Sequence, residues 1–251
     1  MARVLLITGA TGIAEATALN AGAQDHSVFV VSRDEEECRS LCDRLPDAAW
    51  FACDLRDEES VQAAVCACLR RFKTVHAVFN VAGISGRSLG DGPIHECSTE
   101  GWKTTLDNNL FTTFLMCRSI LRHWIGNNAP GVILNMSSVL AFSPQSQHFA
   151  THAYAASKGA IISLSRAMAA YYAPRGIRVN VIAPGLVRTR MSLRAQTDPN
   201  ISEYIATKQP LSNGMLEPED VAKTALFLLN EASAHITGQV VSVDGGWSVS
   251  G

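Results

Sequence analysis

The 251-residue sequence contains no long apolar segment and no excess of either charge. Nowhere does it approach the roughly 18 consecutive apolar residues of a membrane span. The opening MARVLLITGA has an apolar run only from 4 to 7, which is too short for the core of a signal peptide. A net charge of −2 gives no electrostatic reason to expect nucleic acid or an anionic membrane as a partner. We therefore expect a soluble, cytoplasmic protein.

Patterns that would indicate a metal site or a disulfide framework are also missing. The seven cysteines are odd in number, none forms a C-x-x-C pair, and no Cys/His cluster has the spacing of zinc ligands. They are Cys38, Cys42, Cys53, Cys66, Cys68, Cys97 and Cys117. We expect no metal and no disulfide.

The sequence does contain a regular alternation of short apolar runs and amphipathic segments. Strand candidates are residues 4–7, 28–31, 49–53, 75–81, 132–136, 178–183 and 239–243, and helix candidates lie near 13–24, 34–45, 57–72, 99–125, 152–173 and 218–231. This alternation predicts an α/β, doubly wound fold, with a mainly parallel seven-stranded sheet and helices on both faces. No linker or repeat divides the chain, so residues 1–251 are expected to form a single domain.

One stretch, from about residue 190 to 215, breaks the alternation. It contains the turn sequences Asp-Pro-Asn and Ser-Asn-Gly and has only a weak helical pattern. A long excursion beside a strand end in a compact α/β domain is usually a lid or a binding loop. We predict a substrate lid at about 190–215.

A glycine-rich turn follows the first strand candidate. Gly9 and Gly12 lie just before the helical pattern that begins at Ile13, with Thr11 between them. Glycines at such a turn let the backbone approach a pyrophosphate, which then faces the N–H groups of the helix. The turn predicts a dinucleotide cofactor bound by Gly9, Thr11, Gly12 and Ile13.

The end of the second strand candidate bears on the choice of nucleotide. It reads Ser32-Arg33, with no carboxylate in place to bind the ribose hydroxyls. NADP(H) is therefore slightly favoured over NAD(H). A surface charge at a strand end explains Arg33 equally well, and Asp34 would weaken its field.

The next two strand ends supply further candidate contacts to the nucleotide. Asp54 and Leu55 follow the third strand, where Asp54 could accept from the adenine amino group. Asn80, Ala82 and Gly83 end the fourth strand, where small residues leave room for the adenosine ribose. Turn chemistry alone would also explain either feature.

Tyr154 and Lys158 are four residues apart in a predicted helix, so they share one face. An ammonium group near a phenol favours the tyrosinate and lowers the pKa of the tyrosine. Such a phenol could donate or accept a proton when a carbonyl and an alcohol interconvert. Chance could supply this pair, so its context decides.

That context resembles the short-chain dehydrogenase/reductase family, whose compact single-domain branch has about the length of this chain. The resemblance implies a Rossmann-type fold and an NAD(P)(H)-dependent oxidoreductase that interconverts a carbonyl and a secondary alcohol by hydride transfer. It runs from residue 4 to 246 and rests on the glycine turn, Asp54-Leu55, Asn80-Val81-Ala82-Gly83, Asn109-Leu110, Ser137-Ser138, Tyr154 with Lys158, Asn180, Pro184-Gly185, Val187 with Thr189, Glu217-Pro218-Glu219-Asp220, Ile236-Thr237-Gly238-Gln239 and Asp244-Gly245-Gly246.

The resemblance implies a catalytic set of four residues. Tyr154 would be the general acid/base, and Ser138, rather than Ser137, would polarise the substrate oxygen. Lys158 would hold the nicotinamide ribose and lower the tyrosine pKa. Asn109 would bind a water that continues a proton relay to solvent.

The resemblance also places the nicotinamide, the substrate and the subunit contacts. Beside Tyr154 and Lys158, it implies that Pro184, Gly185, Val187 and Thr189 contact the nicotinamide half of the cofactor. The small-molecule substrate would contact Ser138, Leu140, Tyr154, Gly185, Leu186 and Met191, with Phe142, Gln145 and Leu193 as further pocket candidates. The carboxyl-terminal segment would pack between subunits, which implies a homotetramer or a homodimer.

Departures from the family pattern leave alternatives open. The glycine turn is one residue short, which weakens both phosphate binding and the inference of NADP(H), and Ala14 replaces its third glycine. Between Ser138 and Tyr154 the chain is a few residues longer than usual and contains His148 and His152, which we interpret as pocket-lining or surface residues.

A catalytically idle dinucleotide-binding sensor or scaffold of the same fold is the alternative function. Arginines near the lid could meet an acidic substrate, but a solvated loop face explains them equally well.

Overall fold

The computed structural model describes residues 3–250, and within them seven strands form one parallel sheet. The strands are β1 (Val4–Thr8), β2 (Ser27–Ser32), β3 (Ala48–Ala52), β4 (Ala77–Asn80), β5 (Gly131–Met136), β6 (Ile177–Pro184) and β7 (Val240–Val243). Their order is β3-β2-β1-β4-β5-β6-β7, and every neighbouring pair is parallel. The order reverses between β1 and β4. In a doubly wound sheet a ligand binds at such a reversal, outside the carboxyl ends of the strands.

The helices between these strands cover both faces of the sheet. They are α1 (Ile13–Gly22), α2 (Glu35–Cys42), α3 (Glu58–Phe72), α4 (Thr99–Leu106), α5 (Thr112–Gly126), α6 (His152–Tyr172), α7 (Leu193–Thr197), α8 (Pro199–Lys208) and α9 (Pro218–Leu229). None of them, within residues 3–250, has both the length and the apolar character needed to cross a bilayer.

The apolar pattern of β1 explains why two cores form. All five residues of β1 are buried, and successive side chains point to opposite faces. Leu5 and Ile7 belong to the core shared with α1, α2 and α9, whereas Val4 and Leu6 belong to the core shared with α3, α5 and α6. The predicted doubly wound fold is therefore confirmed.

Two segments differ from the sequence prediction. The helix expected over 99–125 is interrupted by a π-helical turn at Asp107–Phe111. The excursion at 190–215 contains the helices α7 and α8. Its Asp-Pro-Asn sequence starts a helix, because Asp198 accepts hydrogen bonds from the backbone N–H groups of Asn200 and Ile201 and Pro199 occupies the first turn.

Candidate active site

A cavity of about 840 Å³ opens at the carboxyl ends of the strands. The turn after β1, the ends of β2, β4, β5 and β6, and the start of the 190–215 segment all contribute to its wall. Its lining residues come from strand ends on both sides of the point where the strand order reverses, so the cavity has room for a ligand that spans this point. Of the 22 residues to which the sequence assigns a role in cofactor binding, substrate binding or catalysis, Asn80 and Asn109 are absent from its lining, as are the further pocket candidates Phe142 and Gln145.

The glycine turn forms one wall of this cavity. Gly12 is the N-cap residue of α1, and its φ of 59° favours glycine. No side chain caps the first N–H groups of this helix. A Cβ at Gly12 would lie 3.0 Å from Thr189 Cγ2, so the turn closely approaches the residue that follows β6. An open helix N-terminus with close backbone access fits the pyrophosphate of a dinucleotide.

The adenosine end of the cavity is rich in charge. Ser32, Arg33 and Asp54 line it as predicted, together with Glu37, which the sequence reading missed. Arg56 donates hydrogen bonds to both carboxylate oxygens of Asp54 and so lowers the pKa of that carboxyl. Asp54 is therefore already paired before any adenine binds.

Asn80 does not contact the cavity, contrary to its predicted role in cofactor binding. Its side chain is 4% exposed and donates to Asn135 Oδ1 at 2.8 Å and to the Cys117 sulfur at 3.3 Å. Asn80 and Asn135 are aligned on adjacent strands, so the amide joins β4 to β5. Asn80 is kept out of the cavity because its amide is bonded to Asn135 of β5 and to Cys117 of α5.

Ser138 and Tyr154 meet in the middle of the cavity. The Ser138 hydroxyl, two residues beyond β5, accepts from the Leu140 N–H at 3.2 Å. It lies close enough to the Tyr154 phenol of α6 to lower the pKa of that group, and both side chains line the cavity. Ser137, in contrast, donates its hydroxyl to the Lys158 carbonyl at 2.9 Å. Only the second serine of the pair is thus free to meet a substrate oxygen.

The pKa of Tyr154 differs from the sequence expectation. Burial raises the pKa of the phenol, and the Ser138 hydroxyl opposes this only in part. Burial also lowers the pKa of Lys158 to about 8. The Lys158 Nζ lies 5.6 Å from the centre of the tyrosine ring and donates to the Met136 carbonyl at 3.0 Å. Burial, rather than the ammonium group that was expected to lower it, therefore sets the direction of the Tyr154 pKa shift.

Asn109 lies behind the cavity wall, in the π-helical turn. It is fully buried, donates to the Ile84 carbonyl and the Ser157 hydroxyl, and accepts from the Ile84 N–H at 2.8 Å. The side-chain oxygen would lie 2.6 Å from a Cβ at Gly83, so the amide touches the turn after β4. Single π-turns are frequent at functional sites because they reorient one side chain within a helix.

Asp91 caps the start of the catalytic helix α6, a role that was not predicted from the sequence. The carboxylate is 5% exposed and accepts from the backbone N–H groups of Ala153 at 2.9 Å and Tyr154 at 2.8 Å. The N-cap residue of α6, Thr151, makes no capping hydrogen bond of its own. Asp91 replaces that cap from a loop 63 residues away in the chain, which no local pattern reveals.

Gln209 fixes the other side of the site. It is fully buried, accepts from the Leu186 N–H at 2.5 Å and donates to the Leu186 carbonyl at 3.1 Å. A Cβ on Gly185 would lie 2.4 Å from the Gln209 side-chain oxygen, so only glycine fits there. The role of Gln209 was not predicted, because its contact joins the end of α8 to the residues after β6, which are far apart in the sequence.

The substrate end of the cavity is mainly apolar. Leu140, Leu186, Met191 and Leu193 line it as predicted, joined by Phe149 and Trp247, but Phe142 and Gln145 do not. Trp247 is 2% exposed and packs against Phe149 with ring centroids 5.6 Å apart. The chain terminus, the 190–215 segment and the loop before α6 therefore share one apolar cluster. The His148 ring packs against Tyr204 and does not line the cavity. His152 is exposed.

Comparison with known sequences gives matches along almost the whole chain. A family model described as enoyl-(acyl carrier protein) reductase matches residues 8–248. The chain is similar to a 3beta-hydroxysteroid dehydrogenase 1 of Eggerthella lenta, with 34% identity over 98% of this chain and 94% of the relative. It is also similar to a D-threitol dehydrogenase of Mycolicibacterium smegmatis, with 33% identity over 98% of this chain and 93% of the relative.

Solved structures share the fold at similar identity. A 3-ketoacyl-(acyl-carrier-protein) reductase from Brucella melitensis complexed with NADH superposes with a TM-score of 0.86 and 30% identity, covering 98% of each chain. An actinorhodin polyketide ketoreductase with NADPH gives a TM-score of 0.88 and 28% identity, covering 99% of this chain and 98% of the other.

Proposed function

The chain belongs to the short-chain dehydrogenase/reductase family, and we propose that Ser138, Tyr154 and Lys158 perform its chemistry. The protein is an oxidoreductase that interconverts a carbonyl and an alcohol on a small-molecule substrate, with a nicotinamide dinucleotide as cofactor. The observation that supports the residue assignment is that the Ser138 hydroxyl, the Tyr154 phenol and the buried Lys158 line one cavity, with Ser138 close enough to lower the pKa of the phenol.

When bound, the nicotinamide supplies or accepts the hydride at the substrate carbon. The glycine turn and the start of α1 would bind its pyrophosphate, and Pro184 to Thr189 would border its nicotinamide end. In reduction, Tyr154 donates its phenolic proton to the substrate oxygen while the Ser138 hydroxyl stabilises the developing negative charge. In oxidation, Tyr154 takes the proton back.

Lys158 and Asn109 would support this proton transfer. A charged Lys158 would hold the nicotinamide ribose hydroxyls, and its charge favours the tyrosinate that reduction leaves behind. Asn109 lies against Gly83 and would hold a water that passes protons towards solvent. The raised pKa of Tyr154 keeps the phenol protonated at neutral pH, which suits the donor role in reduction.

The two adjacent serines provide the test of the substrate contact. Ser138→Ala should lower kcat by about 10²- to 10³-fold, the usual cost of losing one donor to a developing oxyanion. Binding of NADH or NADPH, followed by nicotinamide fluorescence, should survive. Ser137→Ala is the matched control, since it loses only the hydrogen bond to the Lys158 carbonyl. Equal losses in the two variants would contradict the assignment.

NADP(H) is proposed as slightly favoured over NAD(H). Arg33 lines the adenosine end of the cavity and takes part in none of the ion pairs within residues 3–250. The nearby carboxylate of Glu37 is paired with Arg190, so it opposes a 2′-phosphate less than a free carboxylate would. Arg33→Ala should then reduce the NADPH-to-NADH ratio of kcat/KM by about tenfold, the worth of a charge-assisted hydrogen bond. A wild-type preference for NADH would overturn this proposal.

We also propose that residues 1–251 act as one domain with a lid at about 190–215, and that the chain forms a homotetramer or homodimer. The lid assignment is supported by the share of the cavity wall that the start of this segment provides. The oligomer is supported by β7, which lies at the edge of the sheet beside a carboxyl-terminal segment with an exposed Val249. Analytical ultracentrifugation tests the assembly, and a monomer at assay concentration would contradict it.

A further inference from the structure

Two arginines meet at the substrate end of the cavity. Arg87, from the loop after β4, and Arg194, in α7, both line the cavity wall. Arg87 donates to the backbone carbonyl of His148 at 3.1 Å, and Arg194 donates to the same carbonyl at 2.7 Å. The two guanidinium groups are therefore neighbours, although they come from segments that are far apart in the chain.

The other arginines near the lid are engaged elsewhere. Arg188 pairs with Glu217, and Arg190 pairs with Glu37. Within residues 3–250, neither Arg87 nor Arg194 forms an ion pair with a carboxylate. The negative charge of Asp91 acts to raise the pKa of Arg87, but the two do not form an ion pair within residues 3–250. The Asp91 carboxylate already accepts the two backbone hydrogen bonds that cap α6. Arg87 and Arg194 are also exposed, but unlike Arg188 and Arg190 they have no carboxylate partner within residues 3–250 and converge on one carbonyl at the cavity wall.

The guanidinium groups retain most of their hydrogen-bonding capacity. An arginine has five N–H donors, and each of these two uses one donor on the His148 carbonyl within residues 3–250. Neighbouring like charges repel, and burial together with Arg194 lowers the pKa of Arg87. A bound anion would relieve this repulsion, and the planar fork of a guanidinium matches a carboxylate.

We propose that Arg87 and Arg194 form a carboxylate-binding subsite and that the substrate is an alcohol or ketone bearing a carboxylate. Both arginines bond to the His148 carbonyl and, in the described part of the chain, neither bonds to Ser138 or Tyr154, so the carboxylate would bind beside His148 and not at the reacting carbon. Leu140, Phe149 and Trp247 line the same cavity and provide an apolar wall. The favoured substrate thus has an apolar body between the reacting carbon and the carboxylate. This inference rests on the proposed function.

The first experiment compares keto acids with their methyl esters. A series from 4-oxopentanoate to 7-oxooctanoate scans the distance between ketone and carboxylate, and each ester removes only the charge. At one length or more, the acid should exceed its ester in kcat/KM by at least about tenfold, the worth of a hydrogen bond to a charged group. Arg87→Gln and Arg194→Gln should each lower the acid-to-ester ratio by about tenfold. Arg175→Gln removes an exposed arginine remote from the cavity and should leave the ratio unchanged. Esters that match or exceed the acids at every length would overturn the inference.

The second experiment measures anion binding without turnover. Benzoate should raise the Tm of the wild-type protein more than its neutral analogue benzamide does, and both glutamine variants should lose the difference. If neither acids nor esters react but benzoate shows this pattern, the subsite stands and the proposed function fails. If ketones are reduced but benzoate binds no better than benzamide, the proposed function stands and the subsite is refuted.

Discussion

Replacing Asp91 by alanine should both destabilise the protein and impair the catalytic helix. The change removes a buried acceptor and leaves the backbone N–H groups of Ala153 and Tyr154 without a partner. Each unsatisfied buried donor costs about 1–3 kcal/mol, so the loss of two should lower the free energy of unfolding by about 2–6 kcal/mol. For a chain of this length that is a decrease of roughly 4–24 °C in Tm.

A matched control separates burial from capping in general. Asp198 also accepts from two backbone N–H groups at the start of a helix, but this helix lies in the more exposed lid segment. Asp198→Ala should therefore cost only about 0.5–2 kcal/mol, the usual range for a helix cap. Thermal unfolding followed by circular dichroism measures both losses. Equal losses, or a loss below about 0.5 kcal/mol for Asp91→Ala, would refute the reasoning.

Asp91→Asn tests the effect on catalysis in a protein that still folds. Asparagine keeps one acceptor, so the helix should remain while Tyr154 shifts slightly. Since small misplacements of a catalytic group are costly, kcat should fall by about 10- to 100-fold. The affinity for the nucleotide, which the glycine turn and the strand ends bind, should change by less than about twofold. A parallel loss of nucleotide binding would show that Asp91 supports the fold generally rather than positioning Tyr154.

Two further predictions concern proton transfer and packing. Reduction requires both Tyr154 and Lys158 to be protonated, and the pKa of Lys158 is lowered to about 8. The reduction rate should therefore be constant below pH 8 and fall about tenfold per pH unit above it, whereas a profile that stays flat well above pH 8 would contradict this. Gly185→Ala would place a Cβ 2.4 Å from the Gln209 side-chain oxygen, so it should lower the free energy of unfolding by about 1–3 kcal/mol. Urea unfolding measures this loss, and a variant as stable as the wild type would show that the contact is not tight.

The sheet could be predicted because its strands are nearly continuous apolar runs. Each of the seven strand candidates overlaps an observed strand. Parallel strands that are covered on both faces are apolar at nearly every position, so they are easy to recognise in the sequence. Motif spacing likewise placed Ser138 and Tyr154 on adjacent elements, and the structure brings both side chains to the wall of one cavity.

The remaining features depend on contacts between distant parts of the chain. Asp91 and Gln209 act on backbone groups far away in sequence, so no local pattern marks them. The pKa of Tyr154 was misjudged because helical spacing reveals the nearby lysine but not the burial that opposes it. The lid helices were missed because Asp-Pro-Asn was interpreted as a break, although the same residues also start helices.

Tyr154→Phe tests the central claim most directly. The substitution removes only the phenolic oxygen, so reduction of a good ketone substrate should lose about 10²- to 10⁴-fold in kcat while nucleotide binding persists. Tyr171→Phe is the matched control, because Tyr171 lies on the same helix with 68% of its surface exposed. It should retain wild-type kcat. A Tyr154→Phe enzyme that turns over at the rate of Tyr171→Phe would contradict the assignment of Tyr154 as the proton donor.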